Sequence, residues 1–168
     1  MMTLFHRETH EEYFKKKRAE IKNIIKTLSL EDFEQQDITA MAEELSKKTA
    51  IEELSVTLSV SPQNVASEMP NMERYHLPVQ GNIDLLFVKP SLQEEMTFAA
   101  CLDKAKNLLV IVLDKHSAYD AQQLQALQAN VEQINRDVMV FNMELPAYIE
   151  EELKKQRLFL RAMEKGVF

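Results

Sequence analysis

The sequence predicts an α+β fold in which a small, mostly antiparallel sheet sits between N-terminal helices and a long C-terminal antiparallel helical hairpin. Three observations predict it. Apolar residues recur at helical spacing before residue 50, alternate with period two from Leu54 to Val60, and form an uninterrupted heptad seam from Leu124 to Phe141. The change of period at Ile51 divides the 168 residues into an N-terminal helical hairpin, 1–50, and an α+β core with the C-terminal hairpin, 51–168, expected to form one compact unit.

From Glu8 to Leu28, the residues Phe14, Ile21, Ile24, Ile25 and Leu28 make one apolar stripe on a helix. Ser29 and Asp32 then resemble a cap in which the hydroxyl accepts from the third helical amide, so a second helix is expected to start near Leu30. Its inner face would be Ile38, Met41, Ala42 and Leu45, up to about Lys48.

Leu54, Val56, Leu58 and Val60 alternate with Ser55, Thr57, Ser59 and Ser61, the signature of a half-buried strand that Ser61-Pro62-Gln63-Asn64 ends. Tyr75 to Val79 reads as a short strand. Pro78 lacks the amide of a central strand and so pushes it to an edge. Gly81-Asn82 signals a turn, Ile83 to Val88 a further strand, and Met96, Phe98, Ala100 and Leu102 alternate again. Residues 103–107 are a polar connection of hairpin length before Leu108 to Leu113, an apolar run expected to be buried on both faces. Strands this close, with no crossover helix between them, favour an antiparallel meander.

The seam Leu124, Leu127, Val131, Ile134, Val138, Phe141 places a helix over about 118–143. Intramolecular packing is the favoured use of the seam, and a homodimer through 124–141 is the other. Pro146 is expected to break that helix and open a last one, with Ile149, Leu153, Leu160 and Met163 inside and Gly166 as its C-cap. Val167 and Phe168 are apolar, and the expectation is that the polypeptide continues past them into another domain.

Composition narrows the function classes. Hydrophobic residues at 45% and charged residues at 28% describe a folded globular chain. One cysteine allows no internal disulfide, Met1 to His10 lacks the apolar core of a signal peptide, and six residues is the longest apolar run. A soluble, cytoplasmic protein with no membrane association is expected. The net charge of −7 argues against a general grip on nucleic acid, and Lys15-Lys16-Lys17-Arg18, flanked by Glu11, Glu12 and Glu20, reads as a solvated helix face. Two isolated glycines cannot build a phosphate-binding loop.

Few residues invite chemistry. His6 and His10 would share one face of a helix with Glu8 between them, but Arg7 stands where a zincin has its glutamate. Asp114, His116 and Ser117 cluster at a strand end, though neighbours in sequence rarely point at one another, and Ser117 suits a helix N-cap. Asp84, Asp103 and Asp114 fall near strand ends without the carboxylate-x-lysine spacing of a metal-dependent nuclease. Cys101 is expected to be a buried, inert thiol. No catalytic, metal or cofactor-binding residue, and no cofactor, is assigned.

One stretch carries a resemblance. Tyr75-His76-Leu77-Pro78-Val79-Gln80-Gly81-Asn82-Ile83-Asp84-Leu85-Leu86-Phe87-Val88-Lys89-Pro90-Ser91 is similar to a block in N-terminal, non-catalytic modules of multidomain bacterial proteins of phage-defence type. Asn142-Met143-Glu144-Leu145-Pro146 and the basic Lys154-Lys155-Gln156-Arg157 match that family's later pattern, so the resemblance covers about 75–165. It implies a sensing or scaffolding role whose partner is another protein or a downstream domain, and transfers no catalytic residue. The leading expectation is a non-enzymatic protein-interaction, sensing or scaffolding module. The alternative is a metal-dependent nuclease or other hydrolase with an unrecognised acidic site.

Overall fold

In the computed structural model, described for residues 3–58, 63–64, 72–94, 100–114 and 118–166, the α+β class and the small, mostly antiparallel sheet are present. The elements are β1 (Glu8–Thr9), α1 (His10–Lys26), α2 (Leu30–Gln35), α3 (Ile38–Thr49), β2 (Leu54–Val56), β3 (Gln63–Asn64) and β4 (Met72–Gly81). A 3₁₀ turn (Ile83–Phe87), β5 (Val88–Lys89), β6 (Ala100–Asp103), β7 (Leu108–Asp114) and α4 (Ala118–Glu164) follow.

The chain divides into two compact units, and not at residue 50 alone. A strand unit takes the residues up to His10 and Glu52–Val138, and a helical unit takes Glu11–Ile51 with the residues from Met139 onward. The distal part of α4 thus belongs with the N-terminal helices rather than with the strands.

In the strand unit the order is β2-β4-β7-β6, with β3 also on β4 and a separate parallel pair β1-β5. This corrects the meander, because β4 pairs with β7 and not with β5, the strand that follows it in sequence. It also corrects the edge position given to Pro78, since β4 lies between β2 and β7. The proline is tolerated because β2 has ended at Val56. The Pro78 carbonyl still accepts from Thr57 N–H (2.9 Å), so the side on which Pro78 lacks a donor is the side where the β2 ladder stops.

Gln63 and Asn64, read as a turn, pair antiparallel with Arg74 and Glu73, while Ser59 to Pro62 and Met96 to Phe98 lie outside the described residues. The strand expected over Ile83 to Val88 is a 3₁₀ turn with a two-residue strand after it. Adjacent Leu85 and Leu86 are both fully buried, which a half-buried strand with alternating faces does not allow. Residues Leu109, Ile111 and Leu113 of β7 are buried while Leu108, Val110 and Val112 are half-buried, so one face of this strand, not both, is core. Gly81 has φ +79°, and a Cβ there would collide with the Glu53 carbonyl oxygen.

In the helical unit, α1 starts at His10 rather than Glu8, and the single second helix expected after Leu30 is two, α2 and α3. Asp37 ends one and caps the other by accepting from Ala40 N–H (2.7 Å). At α2 the expected capping box between Ser29 and Asp32 is present, with the Asp32 carboxylate accepting from Ser29 N–H (2.7 Å) and from the Ser29 hydroxyl (3.1 Å).

The largest correction concerns the C-terminal hairpin. Pro146 lies inside one helix of 47 residues. The buried stripe runs through Leu127, Val131, Ile134, Val138 and Phe141 and on through Leu145, Ile149 and Leu153, on both sides of the proline. Burying Leu145, Ile149 and Leu153 contributes about 1.5–3 kcal/mol each. An interior proline costs about 3 kcal/mol. No glycine or asparagine stands between Met143 and Pro146 to make a turn. The same burial uses most of the seam inside the chain's own core, where of its six residues only Leu124 is half-buried.

Candidate functional site

Among the described residues, the sequence candidates for chemistry do not converge. Residues 8–9 are a strand pair on Val88 and Lys89, so His6 and His10 are not one helical turn apart. Asp84 is exposed on the 3₁₀ turn, and Asp103 accepts from Lys106 N–H (3.2 Å) within the hairpin loop. His116 and Ser117 lie outside the described residues, as do Val167 and Phe168. Cys101 is exposed, not buried. Ala100, its neighbour, is core, and the period of two places Cys101 on the other face of β6. Among the described residues, no group of three His, Cys, Asp or Glu stands close enough to hold a metal ion, and no helix is long and apolar enough to cross a membrane.

Of the basic run on α1, Lys15 and Lys16 are exposed, while Lys17 and Arg18 are packed into the helical unit. Lys17 lies 3.6 Å from Glu20 and over the Tyr13 ring (5.4 Å), and Arg18 stands over Phe141 (5.2 Å) and Tyr148 (6.0 Å). Phe14 stacks on Phe141 with centroids 4.9 Å apart. The Tyr148 hydroxyl donates to the Arg18 carbonyl (3.5 Å), Lys22 reaches Glu152 (3.9 Å), and Gln156 Nε2 donates to the Lys26 carbonyl (3.5 Å). Partners advance four residues at a time on both helices, so α1 runs parallel to the distal part of α4. Burial raises the pKa of the Tyr148 phenol above its ordinary value, aided by the charge of Glu152 and opposed by Arg18 and Lys155.

Beside this pair, the end of α1, the short α2, α3 and one residue of α4 enclose an open groove of about 290 Å³. Its apolar lining is Ile24, Leu28, Met41, Leu45 and Leu153. Met41, Glu44, Leu45 and Lys48 recur at i, i+3, i+4, i+7, so one face of α3 forms a wall. Leu153 is fully buried, Leu28, Met41 and Leu45 are half-buried, and Ile24 is 44% exposed, so apolar surface faces water along the groove. Lys48 Nζ donates to Glu44 at the rim (3.0 Å), and that hydrogen bond, with the lysine's charge and a hydrogen bond from Gln36, holds the Glu44 carboxyl below its ordinary value. The arrangement presents no nucleophile with an adjacent base. It presents an apolar floor with charged edges.

The sequence places Ile24, Leu28, Met41, Leu45 and Leu153 on apolar faces, where they read as core. The sign that some would remain uncovered is the shortness of α2: six residues, none of them buried, cannot close the space over Leu28 and Met41.

No protein-family model, no curated protein and no solved structure matches this chain.

Proposed function

We propose that this protein is a non-enzymatic protein-interaction module, cytoplasmic, with a sensing or scaffolding role in a bacterial effector or defence-type system. One observation carries the interaction reading: the groove over Leu28, Met41 and Leu45 leaves apolar surface of the helical unit open to water. Such grooves accept amphipathic helices, whose apolar face supplies the missing contacts while flanking charges set orientation. Met41 suits this use because its unbranched side chain adapts to a partner's shape. The defence-type setting rests on the sequence pattern over 75–165.

The test is site-specific photo-crosslinking in bacterial cells, with the photoreactive residue at Met41 or Leu45 and, as control, at exposed Lys104 in the hairpin loop. A discrete adduct from the groove positions only, whose partner rebinds the purified full chain and is lost with Leu45→Asp, is the expected result. Adducts equal at all three positions would contradict it. So would cleavage of DNA or RNA with Mg²⁺ or Mn²⁺ that Asp84→Asn abolishes, which would establish the hydrolase instead.

A further inference from the structure

The face of α4 opposite its buried stripe carries apolar residues in water. Met139, Val140 and Met143 are 50%, 51% and 74% exposed, and Ala147 is exposed on the next turn. Met143 lies about 160° around the helix from both Phe141 and Leu145, so the core that buries those two leaves it outside. Charged residues extend the patch in both directions, Glu132 and Arg136 before it, Glu150 and Lys154 after it. Among the described residues their polar contacts run along α4 itself. Gln128 donates to Glu132 (3.1 Å), Arg136 donates to Gln133 (3.1 and 3.3 Å), and Lys154 lies 3.2 Å from Glu150.

The order of these residues is a palindrome in spacing and complementary in charge. From Glu132 through Arg136, Met139, Met143, Ala147 and Glu150 to Lys154 the steps are 4, 3, 4, 4, 3 and 4 residues, the same from either end. Steps averaging close to about 3.6 keep the stripe along the helix axis, for a length of about 33 Å at ~1.5 Å per residue. A second α4 laid antiparallel across Met143 brings Met143 to Met143, Met139 to Ala147, Arg136 to Glu150 and Glu132 to Lys154. A parallel pair would set each charge against its own copy, Glu132 on Glu132 and Arg136 on Arg136, which repel. The charges therefore select the antiparallel arrangement.

We propose that α4 pairs with α4 of a second copy of this chain, antiparallel, through Met139, Met143 and Ala147, with the two-fold axis at Met143. An isologous contact requires a surface complementary to itself, and this stripe meets that condition in spacing and in charge. Methionine suits the axis, where two identical side chains must interleave, because it is unbranched and adaptable. The apolar strip is narrow and its ends are charged, so the dimer is reversible rather than obligate. None of these residues lines the groove over Leu28, Met41 and Leu45, so the dimer surface is additional to that of the interaction module.

The experiment is sedimentation velocity on the full chain over a wide concentration range, with Arg136→Glu and Glu150→Arg as separate variants. Circular dichroism checks that each is folded. The expected result is a reversible dimer of the 19.5 kDa chain. Its dissociation constant should rise at least about tenfold in each variant alone, where like charges meet on both sides of the axis. It should return toward the wild-type value when the two variants are mixed, because both contacts then join opposite charges. Met143→Glu, which sets two carboxylates on the axis, should leave a monomer. Orientation is read by disulfide formation in a Cys101→Ser background, which removes the exposed native thiol. Met143→Cys should crosslink on mild oxidation, and Gln125→Cys, exposed on the same face but about 27 Å from the axis, should not. A monomer at every concentration overturns the proposal, as does a dimer that neither charge variant weakens, or one that crosslinks through Gln125 and not through Met143.

Discussion

Asn135 holds both backbone groups of Leu54: its Oδ1 accepts from Leu54 N–H (2.9 Å) and its Nδ2 donates to the Leu54 carbonyl (2.7 Å). Asn130 does the same for Glu94 (2.8 and 2.9 Å), and Asn142 does so for Ile51 (2.9 and 2.9 Å). An amide side chain imitates the edge of a strand, satisfying backbone groups at positions where the sheet or a helix end does not. Asp137 adds a fourth anchor, accepting from Ser91 N–H (2.8 Å) and the Ser91 hydroxyl (2.7 Å). Asn135→Ala should therefore destabilise the protein by about 2–3 kcal/mol, the sum of two lost hydrogen bonds and the desolvated groups they leave. Urea melts compare it with Gln128→Ala, whose side chain is exposed and whose loss should stay within about 0.5 kcal/mol.

Ile134 is fully buried on the same helix. Ile134→Ala should cost about 2–5 kcal/mol, the range for truncating a large aliphatic residue in a core. Met143, 74% exposed one face away, should lose little on the same change. Equal costs at the two positions would mean that the seam is not core.

Pro146→Ala separates a single helix from a hairpin. In a continuous helix alanine restores the missing amide and removes the ring's clash, so stability should rise by about 1–3 kcal/mol with unchanged helix content by circular dichroism. At the first turn of a separate helix the proline would be favourable, and its removal would lower stability or leave it unchanged.

The raised Tyr148 pKa fixes a sign for alkaline unfolding. The unfolded phenol titrates near its ordinary value of 10.0 and the folded one above it. The stabilisation is therefore complete below about pH 10 and is lost as pH rises through the folded value. Thermal melts should show wild-type stability falling across that window relative to Tyr148→Phe, which carries no proton to lose. Parallel pH profiles for the two proteins would show that the phenol is not desolvated.

Periodicity made the architecture legible. The stripe of α1, the alternation that puts Leu54 in the core, the β6–β7 hairpin and the seam of α4 all follow from apolar spacing. Sequence and structure part where local signals meet tertiary packing. Pro78 reads as the mark of an edge strand and Pro146 as a helix break, and each is accommodated because the missing donor falls where a ladder ends or where burial outweighs it. Leu85 and Leu86 carry strand-like composition but sit in a 3₁₀ turn, where the Leu86 carbonyl accepts from Phe5 N–H (2.7 Å), a contact between residues far apart in sequence that no local pattern encodes. The asparagine anchors were invisible because a polar residue at helical spacing looks the same whether it meets water or backbone. The groove was illegible for a related reason: its residues have core spacing, and only the position of α2 leaves them uncovered.

The groove's far wall is Leu153, and Leu153 is in place only if α4 runs unbroken through Pro146. Backbone chemical shifts from Phe141 to Leu153 measure this directly. A continuous α4 requires helical Cα secondary shifts at every residue of that stretch, including Glu144 and Leu145, with protection from exchange at the amides of Tyr148 and Ile149. Extended or turn values at Glu144 and Leu145, with loss of protection after Pro146, would restore the hairpin and remove the wall on which the interaction reading depends.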